Sequence, residues 1–307
     1  MKKNKWALAA LAVAAVIGLT VSSCKKSSTT TTTNEETSTA TDNNTAEHIV
    51  SDMTAIAAQS SDGTSGLASY RSTSDYEGGA ICGLSCATVT RSGQIITITF
   101  NGSACLDGKT RTGSIIINYS GSAPGAVHYR DPGFSCTVTT SNYVVNGFQV
   151  NVVNKTITNT TPTGFNPAVT NETWSIAADV NIVRPSGGTI NWNCNRTKTL
   201  LNTSDTSIYH GSGTGSMRPI TWSKARVGLT GSANGTSANG NTFSASVVSQ
   251  LIRDFGQCNI SGFVPLIQGT LDFTPAGHPT RVIDYGNGAC DLDATITVNG
   301  VTTHFTL

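Results

Sequence analysis

The densest group of potential metal ligands in this sequence is a run of side-chain oxygens around two glycines near the C-terminus. Its members are Asp284, Asn287, Asp291 and Asp293. Oxygen ligands at such short intervals suit a hard cation such as Ca²⁺, although the spacing is not that of an EF-hand loop. Asp and Asn beside glycine are also the usual residues of turns. The pattern therefore favours turn chemistry, with a calcium site as the alternative, and no other cofactor is predicted.

Nucleophilic catalysis has no recognisable signature in this chain. There is neither a Gly-x-Ser-x-Gly elbow nor a His-Glu-x-x-His motif, and the five histidines are scattered along the sequence. A glycan-active hydrolase, which is the enzymatic alternative, would need two carboxylates facing each other in one cleft. We therefore expect a structural or binding role and no enzymatic activity.

Two aromatic residues are candidates for ligand contact. Trp222 and Tyr209 lie in polar, turn-like surroundings, where exposed rings on a β face would form a platform for stacking sugars. The favoured interpretation is that Trp222 belongs to the core, as Trp174 and Trp192 do in their alternating runs. A glycan-binding or adhesive module is thus the alternative function within the binding class.

The cysteines predict a disulfide-bonded protein in an oxidising compartment. An internal repeat relates Thr97–Cys105 to Val282–Cys290, since both contain a strand, an aromatic residue, a Gly-rich turn and Ala-Cys. Each copy has an upstream cysteine that we expect to begin a strand. The repeat thus predicts two equivalent disulfides, Cys86–Cys105 and Cys258–Cys290, each closing a hairpin-like unit. Two further cysteines form a weaker third pair, Cys136 with Cys194, which leaves Cys82 as an odd thiol or a competitor of Cys86.

The N-terminus predicts export and lipidation. Lysines at positions 2, 3 and 5 precede an apolar run over 6–20 that has the length of a signal-peptide core. The following Val21-Ser22-Ser23-Cys24 resembles the bacterial lipobox, in which the cysteine thiol is lipidated and the signal is cut before it. Cys24 would then anchor the chain to the membrane through several acyl chains. An ordinary cleaved signal with an incidental cysteine is the alternative.

Four segments follow from this reading. Residues 1–23 are the signal peptide, and residues 24–45 are the lipidated cysteine with a Ser/Thr-rich tether that we expect to be disordered, because it cannot bury apolar surface. Residues 46–79 hold a short helix and a polar loop. The helix is predicted over 44–59, capped by Asn44 with Glu47, and with Ile49, Met53 and Ile56 on one face.

Residues 80–307 are predicted to form an all-β domain, either an antiparallel β-sandwich or an extended twisted antiparallel sheet with long strands. Apolar and polar residues alternate in many runs, such as 174–182 and 190–195. Asn-Gly turns at 146–147, 239–240 and 299–300, with Ser-Gly-Gly at 186–188, predict hairpins between these runs. No helical period interrupts the strands, which argues against parallel βαβ units.

Composition excludes some partners. The formal net charge is +1 and only 12% of residues are charged, about half of the usual ~25%. No basic patch is dense enough for nucleic acid binding. Thr, Ser, Asn and Gly take the place of charged residues, which is typical of extracellular β proteins.

The chain resembles a group of uncharacterised lipoproteins of Bacteroidota. The resemblance rests on the lipobox, the polar tether, Phe100–Cys105 with the following Gly108–Ile117, and the closing Asp284–Asp291. It implies an outer-membrane or surface setting, and it implies no activity. Independently of the resemblance, we expect the lipid anchor to bind the membrane, with a glycan or an envelope protein as a further partner. Lys25 and Lys26 stand where surface-exported lipoproteins of that phylum carry acidic residues, so the periplasmic and surface orientations both stay open.

Overall fold

The computed structural model describes residues 31–62, 85–168, 170–208, 220–258 and 264–306, with the side chains of the helix described from 38 to 61. One helix, α1 (Thr31–Asp62), precedes thirteen strands. The strands are β1 (Ala87–Ser92), β2 (Ile95–Ala104), β3 (Thr110–Asn118), β4 (Ser135–Val145), β5 (Phe148–Asn159), β6 (Glu172–Val183), β7 (Thr189–Leu200), β8 (Arg226–Thr236), β9 (Thr242–Asp254), β10 (Gln268–Pro275), β11 (Arg281–Asn287), β12 (Asp293–Val298) and β13 (Val301–Thr306). Within these residues no helix combines the length and apolar character needed to cross a bilayer.

The strands form one open antiparallel sheet in which each strand pairs with the next in the chain, from β1 to β13. This confirms the all-β prediction and selects the extended sheet over the sandwich. The predicted Asn-Gly and Ser-Gly-Gly segments each connect two consecutive strands. Asn146 and Asn299 adopt positive φ angles of 47° and 50°, as expected where an Asn-Gly turn joins two twisted strands.

The core lies between α1 and one face of the sheet, which we call the inner face. Along β7, buried and exposed residues alternate over the whole strand. Trp192 and Cys194 are buried on the inner face, whereas Asn193 and Asn195 are exposed on the opposite, outer face. The helix covers the inner face, since the Trp192 indole donates a 2.9 Å hydrogen bond to the Asn43 side chain of α1.

The helix is longer than the sequence predicted. Its predicted apolar face is confirmed, because Ile49, Met53 and Ile56 are buried. Asn44, however, is exposed in the middle of the helix and does not cap it, and Glu47 binds Arg196 and forms no capping box. The predicted disorder up to residue 45 is wrong from Ser38 onward, since the helix already buries Thr39, Asp42 and Asn43. Contact with the sheet thus stabilises a helix in this Thr-rich and Asn-rich segment, whose intrinsic helical propensity is poor.

Both disulfides predicted from the repeat are present. Cys86 bonds Cys105, and Cys258 bonds Cys290. The repeat predicted that the two bridges would be equivalent, but they occupy different positions relative to their strands. The first joins the start of β1 to the end of β2, whereas Cys258 follows β9 instead of beginning a strand, and its bridge spans β10 to reach the loop after β11.

The predicted third disulfide is wrong. Cys136 and Cys194 are both buried free thiols. They lie on β4 and β7, three strand spacings of about 4.8 Å apart in the sheet. A disulfide requires Cα atoms within about 7 Å of each other, so these two residues are beyond bonding distance.

We expect replacement of the first bridge, in the double variant Cys86→Ser and Cys105→Ser, to lower the free energy of unfolding by about 3 kcal/mol, because the bridge restricts the unfolded chain. Chemical denaturation measures the change. The control is a reducing agent, which should destabilise the wild type further than the variant, since the variant retains one bridge fewer. Equal stability of variant and wild type under oxidising conditions would contradict the prediction.

Candidate functional site: a polar groove on the outer face

A groove lies on the outer face, across the middle of the sheet. It encloses about 510 Å³ and is formed by strands β7 to β10 and the turn after β10. Its polar lining consists of Asn193, Asn195, Ser232, Asn234, Ser244, Ser246, Asp272, Thr274 and Thr280. No aromatic ring and only one carboxylate line it. The groove is therefore a hydrogen-bonding surface.

Strand register arranges these side chains in two parallel rows. One row runs Asn193, Asn234, Ser244 and Thr274, and the other runs Asn195, Ser232, Ser246 and Asp272. Neighbours within a row are about 4.8 Å apart, and the rows are separated by two residues, or about 6.8 Å. The sheet thus presents amide and hydroxyl groups on a regular grid.

A glycine in β8 lets the backbone bend beside this grid. The register between β8 and β9 shifts between Leu229 and Ser232, which marks a β-bulge. Gly231 lies in that bulge with φ of 108°, and a Cβ atom there would lie 2.1 Å from the carbonyl oxygen of Asn195. Any other residue would clash with β7. Gly231 therefore positions Ser232 opposite Asn195.

Most groups in the groove are available to a ligand. Thr274 and Thr280 share a hydrogen bond of 2.8 Å at one end of it. Among the described residues, no hydrogen bond engages the side chains of Asn193, Asn195 or Asn234, and no cation pairs with Asp272. The groove consequently offers donors and acceptors together with one negative charge.

The inner face is more highly charged, but α1 occupies it. Arg111 of β3 is fully buried and pairs with Asp52 of α1 at 2.8 Å and with Asp107 at 2.6 Å. Arg196 of β7 pairs with Glu47 at 2.6 Å. Near the start of the described side chains, Asp42 pairs with Arg184 and accepts the backbone N–H of Ala238 at 2.8 Å.

The acidic side chains of α1 contact the inner face at intervals along the helix. Asp42, Glu47 and Asp52 are spaced along α1, and each meets a different part of the sheet. A cavity of about 30 Å³ lies between helix and sheet near Glu47 and Cys194, which is room for about one water molecule. The inner face is thus filled by the chain itself.

A lysine and two thiols are buried under α1. The ammonium of Lys155 donates to the Thr54 hydroxyl at 2.8 Å and to the Val50 carbonyl at 3.3 Å. Burial lowers the pKa of Lys155 to about 8, against the opposing effect of the neighbouring thiols. Burial also raises the pKa of Cys136 to about 12 and that of Cys194 to about 11. Both thiols are therefore protonated at neutral pH and are not nucleophiles.

The structure places Trp222 in the core, as the favoured interpretation of the sequence predicted, so its ring is not exposed for stacking on sugars. Its ring is buried, and the ammonium of Lys198 lies 4.8 Å from the ring centroid. Trp174 and Tyr129 complete an aromatic cage around the same ammonium, at 5.4 and 5.6 Å. The aromatic faces thus bind the protein's own cation.

The four predicted calcium ligands do line one cavity, of about 270 Å³, at the β11–β12 end of the sheet. Its lining includes Asp284, Asn287, Asp291, Asp293 and His304. Asp284 accepts the N–H of Gly286 at 2.8 Å, and Asp291 accepts that of Asp293 at 3.0 Å, as expected for turn residues. Within the described ranges, no three His, Cys, Asp or Glu side chains are placed to hold a metal ion, so the calcium alternative stays a prediction.

Three predicted residues, Cys24, Cys82 and Tyr209, lie outside the described residues. The groove residues themselves were missed by sequence reasoning. The alternation in β7 predicts that Asn193 and Asn195 face outward, but only the strand register shows which residues of β8 to β10 join them. No known protein family, curated protein or solved structure matches this chain.

The pairing of Arg111 gives a first prediction for this region. We expect Asp52→Asn to lower the free energy of unfolding by about 2 kcal/mol, because it leaves a buried guanidinium with only one of its two carboxylates. Ser51→Ala, at the adjacent helix position, is the matched control and should change stability little. Denaturation curves of both variants measure the difference, and equal effects would argue against the ion pair as the cause.

Lys155 gives a prediction about pH. The unfolded chain has the ordinary lysine pKa of 10.5 and the folded state a pKa of about 8, so between these values the unfolded state binds more protons. Stability contributed by this group therefore rises with pH across that window. Lys155→Met removes this titration. Between pH 8 and 10.5, the free energy of unfolding of the wild type should therefore increase relative to that of the variant by about 1.4 kcal/mol per pH unit. Denaturation at several pH values measures the difference, and parallel profiles would contradict the low pKa of this lysine.

Proposed function

We propose that this chain is a lipid-anchored envelope protein that binds a polyhydroxylated, glycan-like ligand in the outer-face groove and performs no chemistry on it. One observation carries the proposal, namely the two rows of amide and hydroxyl side chains across β7 to β10. The absence of a second carboxylate from the lining of this groove supports a binding role over glycoside hydrolysis, which uses two.

The chemistry of the groove suits sugar hydroxyls. Each Asn side chain offers both a donor and an acceptor, and each Ser hydroxyl can act as either. Asp272 adds a carboxylate that accepts strongly from hydroxyl groups. A grid with spacings near 5 and 7 Å, set by the sheet, matches a ligand with repeated hydroxyl groups along its length.

A ligand bound by the groove of a single molecule would have low affinity. No aromatic ring lines it, so the free energy must come from hydrogen bonds that contribute about 1 kcal/mol each. A polymeric ligand that meets several molecules at once would gain avidity. Anchoring through Cys24, as proposed from the lipobox, would concentrate the chain on a membrane and favour such multivalent contact.

The Asp-lined cavity supports a second candidate, a glycan-active hydrolase. Asp284, Asp291 and Asp293 line one cavity together with His304, and paired carboxylates are the usual machinery of glycoside hydrolysis. A screen for hydrolysis with the full chain tests it. Turnover lost in Asp284→Asn or Asp293→Asn would favour the hydrolase over the binding protein.

The binding proposal predicts that Asn195→Ala and Asp272→Asn each reduce binding to glycans by about five-fold or more. The first removes a hydrogen-bonding side chain, and the second replaces a charged acceptor of the same row by a weaker, neutral one. A glycan array identifies the ligand, and titration with that glycan measures the change. Thr137→Ala, on the outer face of β4 away from the groove, is the matched control and should bind as the wild type does. Loss of binding in the control as well, or no binding to any polyhydroxylated ligand, would overturn the proposal.

A further inference from the structure

Within the part of the chain that the structure describes, the free edge of β13 is unpaired, and its sequence fits a second copy of itself. β13 is paired with β12 over six consecutive residues without a bulge, and no described residue pairs with its other side. The edge therefore presents a row of backbone donors and acceptors to a partner.

The hairpin geometry shows which backbone groups point outward. Asn299 and Gly300 form a two-residue turn with φ of 50° and 80°, so Val298 and Val301 form a hydrogen-bonded pair. Hydrogen-bonded pairs alternate with open ones, and the hydroxyls of Thr297 and Thr302 lie 2.8 Å apart, as expected for a close, open pair. The backbone groups of residues 302, 304 and 306 therefore point away from β12.

β13 lacks the features by which proteins protect a strand edge. Val301–Thr306 contains no Pro, no Gly and no Lys, Arg, Asp or Glu, and its residues are mostly β-branched or aromatic. The opposite edge differs, because Arg91 of β1 donates a hydrogen bond to the Ser60 carbonyl of α1. Of the two edges, β13 is thus the one suited to strand addition.

The strand is also complementary to itself. In an antiparallel pairing about a two-fold axis, the register centred on His304 brings all three outward-pointing residues of each copy into hydrogen-bonded pairs. Thr302 then lies opposite Thr306, and Thr303 opposite Phe305, of the second copy. Thr–Thr and aromatic–β-branched pairs are favourable across strands. Roughly six backbone hydrogen bonds would form, two for each hydrogen-bonded pair.

We infer that two copies of this chain associate edge to edge through β13, in an antiparallel pairing centred on His304 that continues the sheet from one copy into the other. A contact of one short strand falls below the interface of about 1,200 Å² typical of stable complexes, so the association is transient in dilute solution. The inference does not depend on the glycan proposal, since the groove lies on β7 to β10.

Disulfide trapping tests this inference with the full chain. In His304→Cys the two Cα atoms face each other across the axis at about 5.5 Å, within the range of a disulfide. Thr303→Cys is the matched control, because its two copies are offset by two residues and their Cα atoms lie about 8 Å apart. We expect mild oxidation to give His304→Cys a disulfide-linked dimer, with at least ten-fold less from Thr303→Cys and from the wild type.

A second variant tests the backbone pairing itself. Thr302→Pro in the His304→Cys background removes an outward donor but no bond to β12, and we expect it to reduce trapping at least five-fold. Thr302→Ala keeps the backbone N–H donor and should not reduce trapping. Mapping of the two native disulfides confirms that each variant is folded. A monomeric His304→Cys, equal trapping at 303 and 304, or a link to a protein of different mass would each overturn the inference.

Discussion

The fold depends on the pairing of acidic side chains of α1 with basic side chains on the inner face of the sheet. An open sheet has no second sheet to cover that face, and buried guanidinium groups must be paired. Arg111 and Arg196 find their partners in Asp52 and Glu47 of the helix. Without α1, the inner face would expose both apolar and charged groups, so helix and sheet form one folding unit.

This dependence also explains the helix. Thr, Ser and Asn have low helical propensity, and many of them occur between Thr31 and Asp62. Hydroxyls such as those of Thr54 and Ser60 bond to the carbonyls four residues earlier, which does not favour a helix in isolation. The segment is helical because the sheet supplies Trp192, Lys155 and the arginines as partners.

The sequence predicted the sheet well because strand signals are local. Alternation of period two and the Asn-Gly turns locate the hairpins, and the internal repeat identifies both disulfides. The part of the helix before residue 44 depends on contacts with the sheet, and the failed third disulfide depends on the distance between two strands, neither of which a local pattern encodes. One signal was available, since Arg196 and Lys198 continue the inward alternation of β7 and imply acidic partners on whatever covers it.

The composition of the outer face bears on the role of the groove. Elsewhere on that face, Thr occupies many outward positions, as at Thr97 and Thr137, and Thr suits a strand. In the middle of β7, three successive outward positions hold Asn191, Asn193 and Asn195, although Asn is disfavoured in strands. Residues that oppose the local structure without a partner in the fold mark positions shaped by something other than folding. The helix α1 covers the inner face, and two of the three Asn residues, Asn193 and Asn195, line the groove on the outer face.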